Sequence, residues 1–204
     1  MVLRLFPTCT MNALRNPITT ASTLATIAVL GQAPVDSTVN ERFSIHLQAT
    51  EVVQYKPAFS AEYSGPNSLV TEEETRTSIT TTLFLGARLW KGAEFFFNPE
   101  LAGGSGLTGA LGVASSTNGE TFRVGDPQPQ FYSARVFLRQ NIALGGSVEQ
   151  VDADANVHAG HRPKDRITIT GGKICMADLF DNNRYSHDPC TQFLSWGLMD
   201  NGAW

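Results

Sequence analysis

The chain has 204 residues, a formal net charge of −4 and only 17% charged residues, so it lacks the basic surface of a nucleic-acid-binding protein. No apolar run reaches the roughly 18 residues that a membrane-spanning helix requires. The 18 glycines, 10 prolines and many threonines favour strands and turns over helices. We therefore expect an all-β protein with a single domain.

The N-terminus has the three parts of an export signal. Arg4 and Arg15 supply positive charge, residues 18–30 are uncharged and moderately apolar, and a Gly-Gln-Ala site at 31–33 allows cleavage. The sequence therefore predicts a signal peptide over residues 1–33, followed by one mature domain over residues 34–204.

Alternating polarity predicts the first strands of that domain, because successive side chains of a strand point to opposite faces. Phe43 to Tyr55 alternates apolar with polar residues, and residues 56–74 read as a long polar loop. Ser78 to Leu89 alternates again, with apolar side chains at the odd-numbered positions and polar ones, together with Phe84, at most even-numbered positions.

A hairpin follows directly. Residues 90–92 form the turn, and residues 93–98 return as a second strand. A three-residue loop with Gly92 in the left-handed conformation sets Arg88 opposite Glu94, which joins opposite charges across the polar face. A two-residue loop would set Leu89 opposite Glu94, so we predict the longer loop.

The rest of the chain is less regular. Residues 99–130 are rich in glycine and show no clean strand, whereas Phe131 to Leu144 alternates. Residues 146–165 read as a charged loop, Arg166 to Ile174 as a further strand, and residues 177–204 show only weak periodicity.

Two fold classes fit these alternating strands. One is the wall of a transmembrane β-barrel, since tilted strands of about 9–11 residues cross a bilayer. The other is a secreted β-sandwich that binds carbohydrate, with the apolar face as its core. A complete eight-strand barrel needs more strands than the five or six that can be read.

The polar face holds the candidate binding residues. Arginine and carboxylate groups bind sugar hydroxyls, and aromatic rings pack on the flat faces of pyranose rings. The predicted pore-lining or sugar-contacting residues are Arg88, Trp90, Glu94, Phe96, Arg135, Phe137 and Arg139.

No catalytic or metal-binding pattern accompanies them. Ser186, His187 and Asp188 are adjacent in sequence, so they cannot converge on one substrate as a triad does. Residues 152–163 lack the glycine and the glutamate of a calcium loop, and the spacing of Cys175 and Cys190 fits no zinc site. We expect neither an enzyme nor a cofactor.

Several motifs resemble one family, the carbohydrate-selective (OprB-type) porins of Gram-negative outer membranes. They are the segments FFFNPELAGG (95–104), NGETFRVG (118–125), ARVFLRQ (134–140), DLFDNNRYSHDP (178–189) and DNGAW (200–204). The resemblance implies an antiparallel outer-membrane barrel of about sixteen strands, surrounded by lipid, that admits mono- or oligosaccharides by passive diffusion.

Two departures from the family pattern stand out. Cys190 follows Asp-Pro where the family usually has arginine. A sixteen-strand barrel also needs well over 300 residues at roughly 20–25 residues per strand and connection. The resemblance therefore implies that residues 34–204 are the N-terminal portion of such a barrel, and nothing in the sequence fixes an oligomeric state.

Overall fold

The computed structural model describes residues 3–5, 40–65, 68–110, 118–122, 127–180, 183 and 185–195. Its strands are β1 (Leu3–Leu5), β2 (Phe43–Lys56), β3 (Glu74–Trp90), β4 (Ala93–Gly104), β5 (Gln130–Val151) and β6 (Gly160–Lys173). The described residues also include three short helices: a 3-10 helix (Leu107–Ala110) and α1 (Gly119–Phe122), both between β4 and β5, and α2 (Ala177–Phe180) after β6.

Among these described residues, no helix has the length and apolar character needed to cross a membrane.

The six strands form one sheet in sequence order. From β2 to β6 every neighbouring pair is antiparallel, and β1 adds to β2 in parallel. Within the described residues β6 pairs only with β5, so the sheet is not closed. The predicted all-β, antiparallel fold is confirmed, and the sheet has the form of part of a barrel wall.

Two predicted loop boundaries are wrong. β4 continues to Gly104, so the glycine-rich region begins later than expected. Residues 146–165 are not a charged loop, because β5 extends to Val151 and β6 already starts at Gly160. The predicted signal peptide lies outside the described residues, apart from the three residues of β1.

The β3–β4 hairpin has the predicted pairing of Arg88 with Glu94, but its turn differs. Only Lys91 and Gly92 lie between the paired strands, and the register shifts between Arg88 and Trp90. A β-bulge there absorbs one extra residue, which removes the mismatch that argued against a two-residue turn. Gly92 adopts the left-handed conformation, as predicted, with φ 78°.

The solvent exposure of the two faces is the opposite of that in a water-soluble sheet: polar side chains are buried and apolar side chains are exposed. On β3, Ser78 and Thr80 are 2% and 5% exposed, whereas Ile79 between them is 51% exposed. We call the side of Ser78 and Thr80 the polar face and the side of Ile79 the apolar face. Large exposed side chains of the apolar face come from five strands: Phe43, Ile79, Phe95, Leu101, Phe131, Leu138, Ile142, Ile167 and Ile169.

The segments between the strands pack on the polar face, which is why it is buried. Asn118 donates from its side-chain amide to the hydroxyl of Ser78 at 2.9 Å. Thr108, in the 3-10 helix, donates its backbone N–H to both carboxylate oxygens of Glu74 at 2.9 and 3.0 Å. These contacts satisfy polar groups that would otherwise be unpaired in the interior.

Candidate functional site

The β5–β6 hairpin extends beyond the rest of the sheet. The backbone N–H of Asn141 donates to the carbonyl of Gly92 at 2.7 Å, so Asn141 lies level with the β3–β4 turn. β5 nevertheless continues to Val151, which pairs with Gly160. A straight extension of that length would reach on the order of 30 Å past the turn.

The hairpin bends back instead of projecting. Its register shifts on both sides of Gly145, and Gly145 and Gly146 have φ 114° and 81°, a region that favours glycine. Bulges of this kind bend a strand pair sharply. The residues at the end of the hairpin, 152–159, therefore return to the polar face, and we call them the hairpin tip.

Backbone groups of the hairpin tip are tied to three strands or their ends. Arg139 of β5 donates to the carbonyl of Asn156 at 3.1 Å, and Arg88 of β3 donates to the carbonyl of Ala159 at 3.0 Å. The Ala159 N–H in turn donates to Glu41, just before β2, at 2.9 Å. The tip therefore crosses the polar face from β5 to the edge at β2.

His158 is the deepest side chain of the tip, with its imidazole fully buried. Its ring packs against Phe96 with centroids 5.0 Å apart. The absence of a side chain at Gly86 makes room for it, because a Cβ there would lie 2.9 Å from His158 Nε2 and 2.3 Å from Ser44 Oγ. Gly86 thus shapes a slot for His158 between β3 and β4.

Glu94 is the centre of a charged cluster under the tip. Its carboxylate oxygens lie 3.5 Å from Arg88 Nε, 3.9 Å from Arg139 Nη1 and 3.3 Å from His158 Nδ1. The prediction that Arg88 and Glu94 meet across the polar face is confirmed, and the fold adds Arg139 and His158. Partly buried charges need such partners, because desolvation disfavours an isolated ion.

A cavity of about 910 Å³ lies beside this cluster on the polar face. Strands β2 to β5, the hairpin tip and the segment after β6 all contribute to its wall. The rings of Phe84, Tyr132 and Phe137 are part of its lining, together with charged side chains. Flat apolar surfaces interleaved with hydrogen-bonding groups are what a sugar ring requires.

Tyr132 belongs to this cavity, although strict alternation along β5 from Arg135 would place it on the apolar face. A register shift between Asn98 and Pro99 reverses the alternation, because Pro99 has no N–H to donate to the strand ladder. Tyr132 consequently pairs with Glu100, and its hydroxyl donates to that carboxylate. Thr82 donates to the other carboxylate oxygen at 2.6 Å. Proline inside a strand pattern was the signal that could have revealed the bulge.

The structure brings three predicted site residues to the cavity wall: Arg135, Phe137 and Arg139. Arg135 forms a bidentate pair with Asp178 of α2, with both N···O distances 2.7 Å. The guanidinium of Arg139 lies 5.3 Å from the ring centroid of Phe137 and the same distance from that of Phe96. Both arginines are thus held in fixed orientations, by a carboxylate or by aromatic rings.

Phe96 lies one layer deeper than the cavity. It is 0% exposed and packs against Phe137, with ring centroids 5.1 Å apart. Together with Arg88 and Glu94, it lies beneath the hairpin tip. A solute in the cavity therefore meets Phe137 first.

The bulge near the β3–β4 turn separates Trp90 from the other predicted site residues. Trp90 pairs with Ala93, which in turn pairs with Gln140, so all three share the face opposite to Arg88. The indole N–H donates to the Gln140 side chain at 2.9 Å, and Trp90 is 60% exposed. The extra residue in the bulge, Leu89, moves the indole to the apolar face.

The comparison with protein families gives one match. The profile described as carbohydrate-selective porin, OprB family, matches residues 67–203, which include most of the sheet and the segments that cover its polar face. Searches of curated proteins and of solved structures find no match. Proteins of this family are outer-membrane porins of Gram-negative bacteria, and the family is one of channels and not of enzymes. The chain belongs to the OprB family of carbohydrate-selective porins.

Proposed function

We propose that this chain forms wall and lining of an outer-membrane channel that admits mono- or oligosaccharides by passive diffusion. The observation that carries the proposal is the inverted sheet, which covers its polar face and exposes its apolar face. An exposed belt of Ile, Leu and Phe is suited to contact with lipid, because soluble proteins rarely expose such large contiguous apolar patches.

A secreted β-sandwich is the alternative function class, and the described sheet does not favour it. A sandwich buries its apolar face against a second sheet. Here the segments that cover the sheet lie on the face of Glu74, Ser78 and Arg135, and they are held by hydrogen bonds and ion pairs. The core of a sandwich would require the covering segments to pack on the apolar face instead.

In this proposal the polar face is the lumen side of the wall. Arg135, Arg139 and Glu94 are the groups that bind sugar hydroxyls or position those that do, and Phe137 is the platform for the sugar ring. Phe96 supports that platform from behind. Arg88 holds the hairpin tip through the carbonyl of Ala159.

Trp90 takes a different role within the same channel. It lies at the end of a hairpin, on the apolar face, and its N–H is bonded to Gln140. Aromatic residues with a polar group are typical of the two membrane interfaces of outer-membrane barrels. We assign Trp90 to the interface and not to the sugar path.

The hairpin tip narrows the channel in this proposal. It lies across the polar face between β5 and the start of β2, and four of its residues, 154–157, line the cavity. A segment in that position reduces the open cross-section of the lumen. It also brings backbone carbonyls and Asp154 close to a passing solute, and such groups set the selectivity of a pore.

The test is fractionation of Gram-negative cells that express the chain, with two matched arginine variants on β2. Leu47 faces the apolar side, and its neighbour Gln48 lines the cavity. An arginine on the lipid face costs about 2–4 kcal/mol at the bilayer midplane, whereas one on the lumen side contacts water. We expect wild type and Gln48→Arg in the detergent-insoluble outer-membrane fraction, and Leu47→Arg to be strongly depleted from it. Soluble periplasmic wild-type protein would overturn the proposal.

A further inference from the structure

Four exposed side chains lie together at the end of the sheet where β3 turns into β4. They are Arg42, just before β2, Phe43 at the start of β2, Trp90 at the end of β3, and Lys91 in the turn; we call them the turn-end patch. Phe43 pairs with Ala87, and Trp90 lies three residues further along the same neighbouring strand. Adjacent strands are about 4.8 Å apart and rise about 3.3 Å per residue, so the two aromatic residues lie roughly 10 Å apart.

The aromatic half of the turn-end patch belongs to the apolar face. Phe43 is 67% exposed and Trp90 is 60% exposed, although both side chains are large and apolar. The guanidinium of Arg42 lies 5.7 Å from the ring centroid of Phe43, so a cation is held over an exposed ring. A membrane interface favours this combination, because the ring contacts acyl chains while the cation reaches the headgroups.

Hydrogen bonds to β5 fix the turn that carries Lys91. The indole N–H of Trp90 donates to the side-chain oxygen of Gln140 at 2.9 Å, and the amide nitrogen of Gln140 donates to the Lys91 carbonyl at 3.3 Å. A Cβ at Gly92 would lie 2.1 Å from the carbonyl oxygen of Asn141, so the turn is in close contact with β5. A rigid backbone at the binding group lowers the entropic cost of binding.

The two cations of the turn-end patch have no carboxylate partner. In the part of the chain that the structure describes, the ion pairs involve other basic residues than Arg42 and Lys91. Glu41, the acid next to Arg42, instead accepts the backbone N–H of Ala159 at 2.9 Å. Exposed cations beside apolar rings are complementary to an anionic lipid, whose phosphate and acyl chains meet at the same depth of the membrane.

The lengths of the connections indicate which leaflet the patch meets. Lys91 and Gly92 join β3 to β4, whereas residues 57–73 join β2 to β3 and residues 105–129 join β4 to β5 at the opposite end. Outer-membrane barrels have short turns on the periplasmic side and longer loops outside. The β5–β6 hairpin also ends on the turn side, but its tip folds over the polar face and leaves the aromatic residues of the patch exposed. In the proposed channel the patch therefore meets the inner leaflet, which consists of glycerophospholipids.

We propose that the turn-end patch binds an anionic glycerophospholipid, with Arg42 and Lys91 at its phosphate and the two aromatic side chains among its acyl chains. The inference rests on the proposed function, because it requires the apolar face to contact lipid. Each Lys or Arg near an anionic lipid surface strengthens binding by about fivefold, and salt weakens the attraction. The patch should therefore prefer phosphatidylglycerol to phosphatidylcholine, whose phosphate charge is balanced by choline, and the preference should be largest at low salt.

Quenching of tryptophan fluorescence compares these two lipids, which differ only in the headgroup. The chain in a neutral detergent is titrated with either lipid, brominated on its acyl chains near the headgroup, because bromine quenches an indole that it contacts. Trp90→Phe, which retains Trp196 and Trp204, gives the signal to subtract. We expect phosphatidylglycerol to half-quench Trp90 at a concentration at least about fivefold lower than phosphatidylcholine does, with a smaller ratio in 0.5 M NaCl.

Variants that remove charge identify the groups responsible. Arg42→Gln combined with Lys91→Gln removes both cations and retains the indole, and the half-quenching concentrations of the two lipids should then agree within about twofold. Lys164→Gln removes an exposed cation of β6 and is the matched control, which should keep the wild-type ratio. All three positions are exposed, so the circular dichroism spectrum should stay unchanged in every variant.

Thiol labelling in cells identifies the leaflet. Lys91→Cys is made in a chain whose Cys9, Cys175 and Cys190 are changed to serine, and the thiol reagent is too large to pass through porins. We expect it to react only after the outer membrane is permeabilised, because the short turn faces the periplasm. Glu62→Cys, in the long segment between β2 and β3, should react in intact cells. Reaction of Lys91→Cys in intact cells would overturn the assignment to a lipid of the inner leaflet.

The wild-type titrations separate failure of the inference from failure of the proposed function. Equal half-quenching concentrations for the two lipids, or a preference for phosphatidylcholine, would overturn the inference and leave the proposed function standing. Quenching of Trp90 by neither lipid would show that the apolar face does not contact lipid, which overturns the proposed function and the inference with it. A wild-type ratio in the double variant would overturn the role of Arg42 and Lys91.

Discussion

The β3–β4 and β5–β6 hairpins are part of one sheet, but they end differently. β3–β4 closes in a two-residue turn at Lys91 and Gly92, and both of its strands have neighbours on either side. β5–β6 runs past that turn, bends at Gly145 and Gly146, and lays its tip on the polar face. All of the first hairpin belongs to the sheet. The second hairpin belongs to the sheet at its base, but its tip covers the polar face.

The difference lies in how each region is stabilised. The strands β3 and β4 are each held by backbone hydrogen bonds to a neighbouring strand on either side. The hairpin tip is held by a few bonds, from Arg88, Arg139 and Glu41, and by the buried ring of His158. Regions with few buried contacts open at lower free energy than a sheet core does. The tip is therefore the part of the site that a single change can release.

The largest expected effect concerns the outer edge of the second hairpin. β4 has two neighbours, but β6 pairs only with β5 within the described residues. In lipid each unpaired edge amide costs several kcal/mol, so an open sheet does not enclose a water-filled pore. We expect the purified chain, reconstituted into planar bilayers, to give no stable conductance steps. Reproducible steps from the chain alone would mean that it closes, by itself or as an oligomer.

The next prediction separates tip from wall with two glycine variants. Gly86→Val places a side chain where His158 Nε2 and Ser44 Oγ lie, at 2.9 and 2.3 Å from the Cβ. Overpacking of this kind costs about 1–3 kcal/mol, and the tip is the element that can move away. We expect limited proteolysis within residues 152–159 to become about tenfold faster, with an unchanged sheet signal in circular dichroism.

Gly171→Val on β6 is the control for that experiment. Its Cβ would meet nothing within 4 Å, so proteolysis of the tip should stay at the wild-type rate. Equal acceleration in both variants would show that the slot at Gly86 does not hold the tip.

A smaller effect is expected where the two hairpins share the cavity wall. Tyr132→Phe removes the hydroxyl that donates to Glu100 and leaves the ring in place. Loss of a bond to a buried carboxylate costs about 1.5–3 kcal/mol. The denaturant midpoint should fall accordingly, whereas Tyr63→Phe, at a residue 72% exposed, should leave it unchanged. An unchanged midpoint in Tyr132→Phe would show that the hydrogen bond from Tyr132 to Glu100 does not stabilise the folded protein.

The alternating polarity of the sequence predicted the strands of the sheet well, because each strand has one face in a polar environment and the other in an apolar one. β2 and β3 lie close to the predicted ranges, and the pairing of Arg88 with Glu94 was correct. Periodicity defines two faces but does not say which one is covered. That choice depends on segments from other parts of the chain, such as Asn118, which binds Ser78.

The failures all occur where alternation is interrupted. Bulges after Arg88 and at Pro99 each reverse the pattern, which moved Trp90 to the apolar face and Tyr132 to the cavity. The far part of β5–β6 is stabilised by cross-strand ion pairs of Glu149 with Arg162 and Arg166, and a charged segment of this kind reads as a loop.

The inverted sheet is tested most directly by thiol accessibility on the two faces of β5. Single cysteines replace Tyr132, Arg135 and Arg139, which line the cavity, and Phe131, Leu138 and Ile142 of the apolar face, with Cys9, Cys175 and Cys190 changed to serine. A charged, water-soluble thiol reagent is applied to the chain in detergent micelles. Detergent covers the apolar face and water enters the cavity, so positions 132, 135 and 139 should react and positions 131, 138 and 142 should be protected. Reaction at 131, 138 and 142 with protection of 132, 135 and 139 would contradict the inverted sheet.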